Sequence, residues 1–147
     1  MSTTPWIVHQ KISIPFRYTC GPALERFFRA LEQRSLLASV CGSCGRRYCP
    51  PLSFCGRCWK PIEDYVQLTG QGHLLSYTIV PAPLSELPDV TPPIVLGLMA
   101  LEGADTHFVH LLRVENPDAL RVGARVRVVW SETPGPHIRA ISHFRVA

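Results

Sequence analysis

The sequence predicts a mainly β protein: one N-terminal helix, then a cysteine ribbon, then a small closed barrel of antiparallel strands. Three observations predict it. Five of the six cysteines fall between residues 41 and 58, four of them in two C-x2-C pairs. A single convincing stretch of helical period directly precedes those cysteines. Beyond residue 63, short apolar runs alternate with turn residues, and 14 prolines and 10 glycines in 147 residues favour short strands over long helices.

The helix is expected over residues 22–36, "PALERFFRALEQRSL". Pro22 suits a first helical turn. Leu24, Phe27, Phe28 and Leu31 fall at i, i+3, i+4 and i+7, one apolar stripe that covers core or a partner subunit. Arg26, Arg29 and Gln33 lie off the stripe, and Glu25 can pair with Arg29 one turn on. Ahead of it, residues 1–21 read as an N-terminal arm. Its "WIVHQKISIPFRYT" mixes β-branched and aromatic residues with no partner strand nearby, a pattern that fits packing on another protein.

The ribbon follows. Cys41 and Cys44 form one knuckle, Cys55 and Cys58 the second, ten residues later. Each C-x2-C turn puts two sulfurs on one side of a tight loop, and two facing loops make a tetrahedral cage. These four are the expected metal ligands and zinc the expected metal. Iron in a rubredoxin-like cage is the chemical alternative, because sulfur geometry alone does not separate the two. A four-thiolate cage has no open coordination position, so its zinc is structural. The fifth cysteine, Cys49, precedes Pro50-Pro51 and is expected to pack as a small apolar residue, with a swapped metal ligand or a redox-sensitive thiol as the alternative; Cys20 reads as core.

From residue 63 the pattern is that of a sheet. "YVQLTGQGHLLSYTIV" bends or bulges at Gly70 and Gly72; residues 94–102, 106–114 and 124–130 are further strands, and 137–146 closes the set. Val126, Val128 and Trp130 fall on one face of their strand, Arg125 and Arg127 on the other. The proline-rich stretch 81–93 is a loop long enough to be functional. Five or six strands in about eighty residues match the size of an OB-fold. The expected organisation is an arm (1–21), helix and ribbon (22–62) and OB-fold (63–147).

Charge is uneven. Residues 1–62 carry nine Lys/Arg against two Asp/Glu, and residues 63–147 six against nine. A basic front half favours phosphates or acidic partner surfaces. No apolar run of about 18 residues exists and the first residues lack a signal-peptide pattern, so no membrane association and a cytoplasmic location are expected. Reduced thiols there read as metal ligands before disulfides. Nucleophile elbows, phosphate loops and metalloprotease helices do not occur. His9, His73, His107, His110, His137 and His143 are scattered, and no two carboxylates pair as acid and base. No catalytic residue is assigned.

The stretch "GPALERFFRALEQRSLLASVCGSCGRRYCPP", followed by "CGRCW" and "VQLTGQGHLLSYTIV", resembles the OB-fold, zinc-ribbon family of small acyl-CoA-associated proteins. The ribbon part of that pattern falls on Cys41, Cys44, Gly45, Pro50, Pro51, Cys55 and Cys58. The barrel part falls on Gly70, Gly72, Ser76, Tyr77, Thr78, Gly123 and Val126. The chain departs at Cys49, where a bulky residue is usual. The resemblance implies a rubredoxin-like zinc ribbon and a non-catalytic accessory subunit. It would dock on thiolase- or ketosynthase-like large subunits in a hetero-oligomeric acyltransferase complex, with acyl-CoA possible at the shared interface. Settings of that family include acyl-CoA thiolases, hydroxymethylglutaryl-CoA synthesis, steroid side-chain breakdown and a bacterial phloroglucinol acetyltransferase. Zinc ribbons and OB-folds also bind nucleic acid. Against that second reading, the barrel half is net negative and its aromatics are sparse where single-strand binders need stacking platforms.

Overall fold

The computed structural model describes residues 6–8, 10, 12, 14–85 and 87–147; His9 lies outside them. The helix forms as α1 (Gly21–Glu32). Phe27 and Leu31 are buried and Leu24 and Phe28 half-buried against them, so the stripe faces core. The helix ends four residues earlier than the sequence predicts, at Glu32. Arg34 adopts φ of 56°, a left-handed cap, and its N–H donates to the Leu31 carbonyl at 2.9 Å. Leu36 and Leu37, which prolong the apolar run, instead open strand β1 (Leu36–Val40). Long-range pairing decides this: β1 lies between β2 (Arg47–Tyr48) and β3 (Asp64–Leu68), antiparallel to both. Cys20, expected in the core, is half-buried at the helix N-terminus.

Gly70, at φ of 76°, separates β3 from β4 (Gln71–Val80) and sends the chain from the ribbon sheet into the barrel. The barrel continues with β5 (Ile94–Leu101), β6 (His107–Arg113), β7 (Arg125–Trp130) and β8 (Ile141–Val146). Its strand order is β4-β5-β6-β8-β7, closing back on β4. Neighbours run antiparallel except β6 and β8, which run parallel because the 114–124 connection crosses to β7 and skips β8. Gly72 is required by close approach: a Cβ there would overlap the Ala100 carbonyl on β5. The β-bulge lies further along β4, between Leu74 and Ser76, and not at Gly70–Gly72.

One core joins all the parts. Phe27 and Leu31 from α1, Leu36 and Ala38 from β1, Cys49 and Leu68 pack with Leu74, Met99, Phe108 and Phe144 of the barrel. Hydrogen bonds fix the ribbon on the barrel as well. The Arg47 N–H donates to Asp105 Oδ2 at 2.8 Å and the Asp105 N–H to the Arg47 carbonyl at 2.9 Å. Thr106 Oγ1 accepts from the Cys49 N–H at 2.8 Å and donates to the Cys49 carbonyl at 2.9 Å. The turn between β5 and β6 therefore clips β2, and a rigid scaffold carries the knuckles. The described arm residues, by contrast, form no strand, and Trp6, Phe16 and Tyr18 stand in solvent.

Candidate metal centre

The two knuckles are built to the same backbone plan. In the first, the Cys41 N–H donates to the Arg46 carbonyl and the Gly45 N–H to the Cys41 carbonyl; in the second, Cys55 and Lys60, then Trp59 and Cys55, repeat both bonds. The residue after each second cysteine is left-handed: Gly45 at φ of 72° and Trp59 at φ of 59°. Glycine takes that conformation freely. A bulky side chain does not.

Cys41, Cys44, Cys55 and Cys58 converge, their Sγ atoms all within 4.8 Å of one another. The Cys41–Cys58, Cys44–Cys55 and Cys44–Cys58 sulfur separations are 3.4, 3.6 and 3.9 Å. Four sulfurs about 2.3 Å from a tetrahedral zinc stand about 3.8 Å apart. The donor set and its spacing therefore fit the metal. Cys41 and Cys55 are buried while Cys44 and Cys58 reach the surface, which gives an ion a way in.

Backbone dipoles support thiolates here. The N–H groups of Cys44 and Ser43 point at Cys41, that of Arg46 at Cys44, those of Cys58 and Arg57 at Cys55, and that of Lys60 at Cys58. Four thiols this close cannot share negative charge evenly. The Tyr48 hydroxyl above all holds Cys55 down to about 5, and bonds from Cys41 and Cys55 push Cys58 up to about 12. A dication at the centre relieves that conflict.

Tyr48 is the residue that spacing did not reveal. It is buried, its Oη lies 3.2 Å from Cys55 Sγ, and the Arg46 guanidinium sits 5.7 Å from its ring centroid. Groups that bond a metal ligand orient it and tune its basicity. Tyr48→Phe is expected to keep the fold and to weaken zinc binding by about 10–100-fold, measured by competition with a chromophoric chelator. Cys49 stands apart from the cage. It is fully enclosed and burial pushes its thiol up to about 12, as suits a packing residue. Of the other flagged side chains, His107 is exposed and His110 half-buried from the same strand, on opposite faces.

A ribbon of four convergent thiols, joined through one core to a closed five-stranded barrel, defines a zinc-ribbon and OB-fold protein. Comparison with known proteins agrees part by part. The ChsH2 rubredoxin-like zinc ribbon domain matches residues 28–63 and the ChsH2 C-terminal OB-fold domain residues 65–131. The chain belongs to this ChsH2-type family, also called DUF35. A DUF35 domain-containing scaffold protein of Methanothermobacter thermautotrophicus is 27% identical over 107 residues, 71% of this chain and 79% of that protein. A chain of the Ltp2–ChsH2(DUF35) aldolase superposes with a TM-score of 0.69 at 26% identity, covering 88% of this chain and 98% of that one. A DUF35 protein of unknown function from Sulfolobus solfataricus superposes with a TM-score of 0.67 at 25% identity, covering 86% and 87%. Among the described residues no helix is long and apolar enough to cross a membrane.

Proposed function

We propose that this chain is a non-catalytic accessory subunit of a thiolase- or ketosynthase-like acyltransferase complex, acting on acyl-CoA or acyl-phloroglucinol-type substrates. Cys41, Cys44, Cys55 and Cys58 hold one structural zinc. Residues 22–62 form a clamp on the large subunit, residues 63–147 a barrel that borders the acyl donor, and residues 1–21 an arm that reaches over the partner. Acyl transfer then uses a nucleophile of the large subunit. Relatives named as a scaffold protein and as part of an Ltp2–ChsH2 aldolase support a role in assembly.

The observation that carries the reading is apolar surface held in water. Trp6 is 95% exposed, Phe16 76% and, in the second knuckle region, Trp59 80% and Phe54, five residues earlier, 61%. Exposed apolar patches rimmed by charge mark partner surfaces, and tryptophan is enriched among the residues that anchor them. Arg57 and Lys60 belong to the same region and suit an acidic partner rim. Capture of the tagged protein from its host under mild conditions, followed by intact-complex mass spectrometry, tests this directly. A stoichiometric thiolase- or ketosynthase-like subunit is expected; a lone chain, or one carrying nucleic acid, overturns the reading.

Trp59 allows a sharper prediction. Its left-handed backbone costs about 1–2 kcal/mol. Trp59→Gly relieves that strain and loses about 0.5–1 kcal/mol to the greater freedom of glycine. The free chain is thus expected to melt at an unchanged or slightly higher temperature, while affinity for the large subunit falls at least about tenfold. Unchanged assembly would remove Trp59 from the interface.

A further inference from the structure

The outer face of the barrel carries an arrangement that the accessory-subunit reading does not use. Arg113 on β6 is in direct register with Arg145 on β8, and Arg145 in turn with Arg127 on β7. Gln71 on β4 continues the same row. Residues in register share a face and strands lie about 4.8 Å apart, so three guanidinium-bearing positions stand in a line about 10 Å long. All three are exposed, and among the described residues none of their side chains makes an ion pair or hydrogen bond. Like charges directly opposed across strands destabilise a sheet. Of the positions two residues along, Leu111, His143 and Val129 on one side supply no carboxylate, while on the other side Arg125 and Ala147 accompany one carboxylate, Glu115. Arg125, one step down β7, is already engaged by Glu102 at 3.4 Å.

The row also borders a concavity. Since β6 connects to β7 past β8, the 114–124 segment arches beside the end of β8. Arg113, His143 and Arg145 line a groove of about 950 Å³ with Val114, Glu115 and Arg121 from that arch or its start. Glu115 is the groove's carboxylate, and Asp89 lines a neighbouring groove beyond Arg113. Arg121 is tied into its own loop by bonds to the Asp118 and Leu120 carbonyls at 2.7 and 2.9 Å. The net negative charge of the barrel half therefore hides a local cationic face.

We infer that Arg113, Arg145 and Arg127 form a binding site for a small ligand carrying at least two phosphate groups. Guanidinium forks match phosphate oxygens two at a time, and a row of three spans two linked phosphates. Binding removes the mutual repulsion that the free chain carries. A small ligand is favoured over a nucleic acid strand because the positions flanking the row, Leu111, His143 and Val129, include no Trp, Tyr or Phe platform for bases. The inference rests on strand register and does not depend on the identity of any partner subunit.

Calorimetric titration of the full zinc-loaded chain with inorganic pyrophosphate, at low ionic strength, tests it. Saturable binding at least tenfold tighter than that of orthophosphate is expected, weakening steeply with salt. Arg113→Gln with Arg145→Gln should weaken pyrophosphate binding at least tenfold and leave the melting temperature unchanged or raised. Arg26→Gln with Arg29→Gln on α1 removes the same charge, though it also breaks the Arg29–Glu25 pair and the Arg26–Tyr65 contact, and should leave pyrophosphate binding unchanged. Glu115→Gln should tighten binding. Arg127→Gln alone provides a second variant on the exposed side of β7. No saturable binding, or an equal loss in the α1 control pair, overturns the site. A twelve-residue oligothymidylate that binds more tightly than pyrophosphate and displaces it also overturns it, and assigns the row to nucleic acid.

Discussion

Replacing Cys41 and Cys44 together by serine is expected to abolish metal binding and unfold the ribbon. The ribbon's private core is small: Cys41, Tyr48, Cys55 and Ile62, with Cys58 packed at the edge. Burying a large apolar side chain stabilises by about 1.5–3 kcal/mol, and only Tyr48 and Ile62 are of that size. Structural zinc in comparable peptides binds with about 10–16 kcal/mol, so the metal outweighs the packing several-fold. Loss of two ligands also leaves Cys55 and Cys58 facing each other with backbone N–H groups still aimed at them. The damage should stop at the clip, because Cys49 and Thr106 hold the ribbon's base to the barrel through their own hydrogen bonds. Amide hydrogen exchange should therefore rise over residues 41–63 and much less over 94–113. Elemental analysis should fall from one metal per chain to none. Stoichiometric metal with an unchanged melting temperature in this variant would show that these cysteines are not the ligands.

The metal cage was legible because its information is local. Two C-x2-C turns fix the sulfur directions within four residues each, and no distant contact is needed to read them. The strands of the barrel were legible for a similar reason, since alternation in 124–130 or the apolar run at 94–102 is a short-range signal. What the sequence concealed depends on pairing across long separations. Leu36 to Val40 continue the apolar run of α1 and only their ladder with residues 64–68 makes them a strand. Tyr48 gains its role through a sulfur seven residues away across the ribbon. The arginine row exists only once β6, β8 and β7 are known to be neighbours, an order that reverses the chain's own sequence of strands. Trp59 is an intermediate case. The contrast of C-x2-C-G with C-x2-C-W is present in the sequence, but its meaning needs the left-handed backbone that both positions share.

Phe27 and Phe28 are expected to separate folding from assembly, although they are adjacent and both aromatic. Phe27 is 1% exposed and lies in the core cluster that spans helix, ribbon sheet and barrel. Truncating a buried phenylalanine to alanine costs about 3–5 kcal/mol, against a total stability of about 5–15 kcal/mol for a domain. A melting point lower by roughly 10 °C follows for a chain of this size. Aspartate at that position would add an unpaired charge in an apolar site, which costs more still, so Phe27→Asp should give little folded protein. Phe28 is half-buried, its ring centroid 6.0 Å from that of Phe27, with one side open to solvent. Phe28→Asp keeps its carboxylate in water and should lower stability by about 1–2 kcal/mol. If the open side of α1 contacts a large subunit, Phe28→Asp will lose that subunit while remaining folded by circular dichroism. If the variant folds and assembles normally, the stripe serves the core alone, and the clamp consists of the arm and the second knuckle region without the helix. A double substitution would confound these outcomes, because the loss at Phe27 removes the surface on which Phe28 is presented.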